Sequence, residues 1–268
     1  MASDIIPRQI TDTNMVPDYE VKLRLDPAKV LDIDQGLTRD VKSAFDVLST
    51  VTKLNVQFLD MKCKEIYTAG WSPRIRKTEN KNDIELTYKR RYAITDGGID
   101  AVLTTANQDG FHTGNTEFKA QVEWGYQKQT LSISHKDKVN NSGNSGMGLP
   151  GTSESRQILI NKAPDKFDNW KYPEWGTSTL FVSRIFGPVL ARRFTGNWNE
   201  LELHLEVWPL VNSEGTGIEH IVEASFKTEN RGTASRERRN LVNFLSLPER
   251  NWFLSQDSLK TQLIMERY

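Results

Sequence analysis

The stretch Asp18-Tyr-Glu-Val-Lys-Leu-Arg-Leu25 alternates without a break. At a strand's period of two, Tyr19, Val21, Leu23 and Leu25 share one face, and Asp18, Glu20, Lys22 and Arg24 share the other. An ordinary half-buried strand puts apolar residues on the core and scatters polar ones toward water. Here the polar face is all charge, with both signs in one line. Two architectures accommodate it. In a sandwich, the apolar faces pack together and the charged faces are solvated. In a closed barrel, helices cover an apolar outer face and the charged faces line a wet interior, where water and bound ions offset the cost of burying charge.

The pattern recurs. "IELTYKRRYAI" sets Glu85, Thr87, Lys89 and Arg91 against Ile84, Leu86, Tyr88 and Tyr92, with Arg90 out of place. "SPRIRK" puts Arg74 and Arg76 together, with Ile75 opposite. "FKAQVEWG" sets Lys119, Gln121 and Glu123 against Phe118, Ala120, Val122 and Trp124. "QTLSIS" continues with Leu131 and Ile133 on one side. "LELHLEVW" opposes Glu202, His204 and Glu206 to Leu201, Leu203, Leu205 and Val207. "IVEASFK" opposes Glu223, Ser225 and Lys227 to Val222, Ala224 and Phe226. "LFVSRIFGPVLARRF" is strand-like, but Gly187-Pro188 predicts a bulge or an edge and leaves the facing of Arg184, Arg192 and Arg193 open.

Helical spacing falls between and after these segments. "TRDVKSAFDVLSTV" carries Val41, Ala44, Phe45, Leu48 and Val51 at i, i+3, i+4 intervals. "DGGIDAVLTTA" predicts a short helix, and two more lie in a C-terminal segment near 234–268, the last with Ser255 as N-cap. The Gly-, Ser- and Asn-rich run 135–155 reads as a flexible loop, a spacer or a cover for a site. Its glycines match neither a Walker A loop nor a dinucleotide fingerprint. One domain spans 1–268 on this reading.

Lys+Arg and Asp+Glu both number 35. No global field attracts nucleic acid or an anionic membrane, so an anion site must arise from charge segregated locally. The single cysteine, Cys63, excludes an intramolecular disulfide and a cysteine metal cluster. The N-terminus does not read as a signal peptide, and no apolar run reaches ~18 residues. A cytoplasmic location is expected, while oligomeric state is not legible.

Arg and Lys on several strands of a barrel suit a polyphosphate, which guanidinium groups bind bidentately. Carboxylates an even number of residues apart on one strand share a face and suit a hard cation; Asp18/Glu20 and Glu202/Glu206 are the best such pairs. His204 between the latter two reads as a hydrogen-bonded structural imidazole, or as a ligand or acid. His112, His135 and His220 show no metal spacing. Trp124, Trp170, Trp175, Trp198 and Trp208 suit either outer packing or a wall for an organic group.

Asp18-Tyr-Glu20-Val-Lys22 resembles the E-x-E-x-K signature of the CYTH superfamily, the triphosphate tunnel metalloenzymes, with Asp in the first position. "SPRIRK", "IELTYK", "ELELHLEVW" and "IVEASFK" resemble that family's later strands, in order, across roughly residues 16–230. The resemblance implies an α+β fold: an antiparallel eight-stranded tunnel with a charged interior and helices packed outside. It implies a phosphohydrolase dependent on Mg²⁺ or Mn²⁺, acting on inorganic triphosphate or an organic di- or triphosphate. Asp18, Glu20, Glu202 and Glu206 would be metal carboxylates. Lys22, Arg74, Arg76, Lys89, Arg91, Arg192, Arg193 and Lys227 would hold phosphates, and Lys22, Glu20, Glu206 and Arg76 would be catalytic. Glu85, Glu123 and Glu223 share the inferred inner face without an assigned role. The same scaffold also suits a lyase or cyclase, or a noncatalytic barrel that binds a phosphorylated ligand.

Overall fold

A computed structural model describes residues 12–140, 146–257 and 259–268. The alternating segments form strands β1 (Asp18–Leu25), β2 (Val51–Asp60), β3 (Trp71–Thr78), β4 (Asp83–Ile94), β5 (Phe118–Trp124), β6 (Gln129–Asn140), β7 (Arg184–Trp198), β8 (Leu201–Val211) and β9 (Ile218–Thr228). Their order around the sheet is β1-β5-β6-β4-β3-β2-β7-β8-β9, and β9 pairs back onto β1 to close a barrel. The short β10 (Phe253–Leu254) pairs with the end of β1 that β5 leaves uncovered.

The expectation of eight antiparallel strands is thereby corrected to nine of mixed direction. β1 and β5 run parallel, and every other pair in the ring is antiparallel. An odd ring cannot close with antiparallel pairs alone, because direction would alternate to a contradiction at the seam. The β1–β5 pair resolves it.

Helices α1 (Pro27–Val30), α2 (Arg39–Ala44), α3 (Glu65–Thr68), α4 (Ile99–Gln108), α5 (Thr152–Asn161), α6 (Asp165–Asp168), α7 (Trp175–Phe181), α8 (Arg231–Leu245) and α9 (Lys260–Arg267) complete the chain. The apolar strand faces meet them. Val21, Leu23, Leu86, Val122, Ile133, Leu203 and Phe226 join Leu159 of α5, Trp175 and Leu180 of α7 and Leu241 of α8 in one core. Each such side chain contributes about 1.5–3 kcal/mol by leaving water. Trp170, Trp175 and Trp198 belong to this outer packing. The out-of-place Arg90 lies there too, stacked on Tyr92 and Trp170.

β2 reverses the polarity of its neighbours. Its inward Leu54, Val56 and Phe58 join Phe186, Val189, Trp208 and Leu210 in a second apolar cluster. Its outward Asn55 and Gln57 donate to the carbonyls of Met147 and Pro150, and Gln57 donates also to Ser155 Oγ. α9 lies across this end of the barrel, with Ile264 and Met265 in the same cluster.

Several expected boundaries shift. The helix anticipated through Val51 stops at Ala44: Asp46 turns the chain with φ 46°, Leu48 is exposed and Val51 opens β2. The loop expected over 135–155 is shorter, since β6 continues to Asn140 and α5 begins at Thr152; residues 141–145 lie outside the described residues. Ser255 does not cap the last helix, which starts after Leu259. The carboxylate of nearby Asp257 accepts the backbone N–H groups of Tyr126, Gln127 and Lys128 at 2.6, 2.6 and 2.8 Å, tying Asp257 to the β5–β6 turn.

Gly187-Pro188 forms the expected bulge. Val56 pairs with Val189 and Phe58 with Phe186, so Gln57 alone faces both residues. The extra residue resets the parity of β7 and decides which arginine enters the barrel.

Candidate functional site

The inner faces enclose a cavity of about 520 Å³, within the range of small-molecule sites. Twelve Lys and Arg side chains line it against six Asp and Glu, in a chain whose charges cancel overall. Asp18, Glu20, Lys22, Arg74, Arg76, Lys89, Arg91, Arg193, Glu206 and Lys227 all line it. Arg192 and Glu202 do not share it. Past the bulge, Arg193 faces inward and Arg192 outward, where its guanidinium donates to the carbonyl of Gln35. Glu202, near the end of β8, is 70% exposed and lies 3.1 Å from His204 Nε2. Asp18 is exposed. Arg184 is exposed over the ring of Phe186.

Glu123 of β5 is the hub of one charge cluster. Its Oε1 accepts from Lys89 Nζ at 2.7 Å; Lys22 Nζ and Arg91 Nε stand 3.4 and 4.0 Å from Oε2. Burial alone would raise this carboxyl, but Lys22, Lys89 and Arg91 outweigh it and hold it well below the ordinary range. Lys22 also meets Glu20 at 2.9 Å, and Lys227 stands 3.9 Å from Glu20. Lys22, between two carboxylates, is raised against the effect of burial. Lys89 moves the other way. Burial lowers it, Glu123 opposes that, and the cations Arg91 and Lys22 add to it, leaving a value of about 7.

A second cluster centres on Glu85 of β4, whose Oε1 is 2.9 Å from Arg74 and 2.8 Å from Arg76. Burial would raise Glu85, but the two guanidinium groups win and hold it at about 2. Arg74 is lowered to about 10, first by burial and then by Arg76. Lys136 of β6, which the sequence pattern did not single out, lines the same side. Its ammonium is pushed down by burial, with Glu85 opposing and Arg74 and Arg76 adding to the effect.

The third cluster lies on β8 and β9. Arg193 donates from Nε and Nη2 to Glu206 Oε1 at 2.8 and 2.7 Å, and Trp208 Nε1 donates to Glu206 Oε2 at 2.9 Å. Lys260, on α9, donates to the same Oε2 and to Glu223 Oε1. Lys260 is the principal site residue that sequence reasoning missed, because helical spacing gives no sign that one residue reaches into a barrel. His204 lines the cavity, lowered by burial and by Arg193 while Glu202 and Glu206 oppose the shift. Trp208 also lines it, and Trp124 lies beneath the Arg238 guanidinium.

The carboxylates expected to hold a divalent cation do not converge. Asp18 is exposed, Glu202 faces solvent, and Glu206 is enclosed by Arg193, Lys260 and Trp208. Among the described residues, no three His, Cys, Asp or Glu side chains come together as a metal-holding group. As arranged here, they do not make a cage for a resident cation.

A closed barrel with a cation-rich lumen and outer helices is a fold that solved structures share. A candidate adenylyl cyclase from Hippeastrum, described as having a dominant triphosphatase activity, superposes with a TM-score of 0.56 at 12% identity, over 93% of this chain and 99% of its own. A candidate adenylate cyclase from Bacillus halodurans gives 0.52 at 10% identity, over 92% and 96%. At such identities the likeness is one of fold. No family model and no curated protein matches the sequence.

Proposed function

We propose that the chamber binds the polyphosphate of inorganic triphosphate or an organic di- or triphosphate and hydrolyses its phosphoanhydride bond. One observation carries this reading: a chain with no net charge concentrates twelve cations against six carboxylates in one enclosed space. Such a lumen raises the local concentration of a multivalent anion and stabilises charge that develops on its oxygens. Arg74 and Arg76 offer forked guanidinium groups from adjacent positions of one strand face. Lys22, Arg91 and Lys227 add point charges along the other wall. Glu20, lowered against burial by Lys22 and Lys227, stays ionised at neutral pH and accepts a hydrogen bond from the attacking water. Lys89 releases a proton near neutral pH, as an acid at the leaving phosphate oxygen must. Water adds to the terminal phosphorus, the anhydride bond breaks, the Lys89 proton goes to the departing oxygen, and the proton shed by the attacking water passes to solvent, from which Lys89 is reprotonated. The triphosphatase activity described for the Hippeastrum neighbour supports the same chemistry.

A noncatalytic polyphosphate-binding barrel is the second reading. The observation favouring it is that Glu206 and Glu123 are already enclosed by lysine and arginine. Phosphate release from inorganic triphosphate, a nucleoside triphosphate and an organic diphosphate, with Mg²⁺, with Mn²⁺ and with chelator, separates the two. Turnover in any arm supports the hydrolase. Calorimetric binding without turnover supports the binding barrel, and the absence of binding overturns both.

A further inference from the structure

Glu206 of β8 and Glu223 of β9 are directly opposite partners in the antiparallel ladder, and both are buried. Like charges so placed repel, and a poorly hydrated interior strengthens the repulsion. A cation between them, or a proton shared by them, relieves that repulsion. Carboxylate oxygens from adjacent strands are a donor set that a hard divalent ion accepts. Here the Lys260 ammonium takes that place: it donates to Glu206 Oε2, stands 2.7 Å from Glu223 Oε1, and lies 4.8 Å from the centre of the Trp208 ring.

Its delivery is fixed from the far end of α9. Ile264 and Met265 are buried in the apolar cluster of β2 and β7. Arg267 Nη1 donates to the Val211 carbonyl at 3.1 Å and meets Glu219 at 2.8 Å, and the Tyr268 hydroxyl accepts the Val211 N–H at 3.0 Å. The amine is therefore anchored at the barrel's end and is not a wandering surface lysine.

We propose that Lys260 stands in for a divalent cation. It closes the Glu206–Glu223 pair to metal and supplies the positive charge there, so that polyphosphate binds without a divalent ion on that pair. The second half of this inference rests on the polyphosphate reading of the chamber; the first does not.

The test uses the full chain and Mn²⁺ alone, in phosphate-free buffer, with free Mn²⁺ followed by electron paramagnetic resonance. Wild-type protein is expected to show no Mn²⁺ binding that Glu223→Gln removes. Lys260→Met is expected to acquire one Mn²⁺ per chain, at least about tenfold tighter than wild type, equivalent to about 1.4 kcal/mol. Adding Glu223→Gln to Lys260→Met abolishes that gain, and Lys260→Arg behaves as wild type. Wild-type Mn²⁺ binding that depends on Glu223 overturns the proposal even if Lys260→Met fails to fold. A folded Lys260→Met with no gain also overturns it. In a separate arm, inorganic triphosphate is titrated into wild type with chelator, and binding is expected. Binding only when Mn²⁺ is present overturns the second half. Absence of binding with and without Mn²⁺ overturns the polyphosphate reading and leaves the Mn²⁺ result on the carboxylate pair standing.

Discussion

Lys89 of β4 donates to Glu123 of β5 at 2.7 Å, although β6 lies between their two strands. The pair therefore reaches over an intervening strand on the concave inner wall. Lys22 and Arg91 stand close to the same carboxylate, and Lys89 is driven to about 7 by burial first and by these two cations in addition.

That lowered value gives binding a pH dependence. Below about 7 Lys89 is charged and favours an anion; as pH rises through that value the charge is lost. Wild-type affinity for inorganic triphosphate is expected to fall across this window. Lys89→Arg, which keeps its charge, is expected to lack that component. Calorimetry at pH 8 in buffers of different ionisation enthalpy should show proton uptake for wild type and less for the variant.

The parity of β7 turns Arg192 away from the lumen that Arg76 of β3 lines. Arg76→Ala is expected to weaken triphosphate binding by about 2 kcal/mol, roughly thirtyfold in Kd, for loss of a charge-assisted contact. Arg192→Ala, which removes an outward side chain, is expected to leave Kd within about twofold, inside the ±0.5 kcal/mol typical of surface changes. Parallel titrations decide it, and equal losses would contradict the inward placement of Arg76 and the outward placement of Arg192.

Acid stability should follow Glu85. Its carboxyl is held at about 2 against an ordinary 4.5, so its ionised form stabilises the fold above 4.5. That contribution is lost progressively as pH falls from 4.5 toward 2. Urea midpoints measured over this window should decline more steeply for wild type than for Glu85→Gln.

α9 is held by apolar contact as well as by charge. Ile264→Ala removes a fully buried side chain from the cluster that seats it. The expected loss is about 2–4 kcal/mol in urea unfolding, the usual range for such a truncation.

The sequence made the barrel legible where one strand face meets helices and the other meets the lumen, as in β1, β4, β8 and β9. It hid β2, whose inward residues are apolar and whose outward Asn55 and Gln57 donate to carbonyls of the segment before α5. It hid the far half of β6, where His135 takes the outward place of an aliphatic residue and meets the rings of Tyr88 and Phe118. Lys136 was lost with it. The facing of Arg192 and Arg193 depended on how many residues Gly187-Pro188 inserts, which alternation alone does not count. Lys260 follows the last barrel-closing strand by a whole helix, so its contact with Glu206 is a matter of tertiary geometry only. Nor does any strand's own pattern state which neighbour it takes, which is why the parallel seam went unforeseen.

That seam also orders assembly. β1 is made before the other eight strands of the ring, yet its ring partners begin at Phe118 and Ile218. Closing such long loops is entropically costly and slows folding. One edge of the strand therefore stays open until β5 follows, and the other until β9 does. Its unbroken row of charge, two acids followed by two bases and suited to the lumen in the finished barrel, meanwhile discourages pairing with the wrong strand.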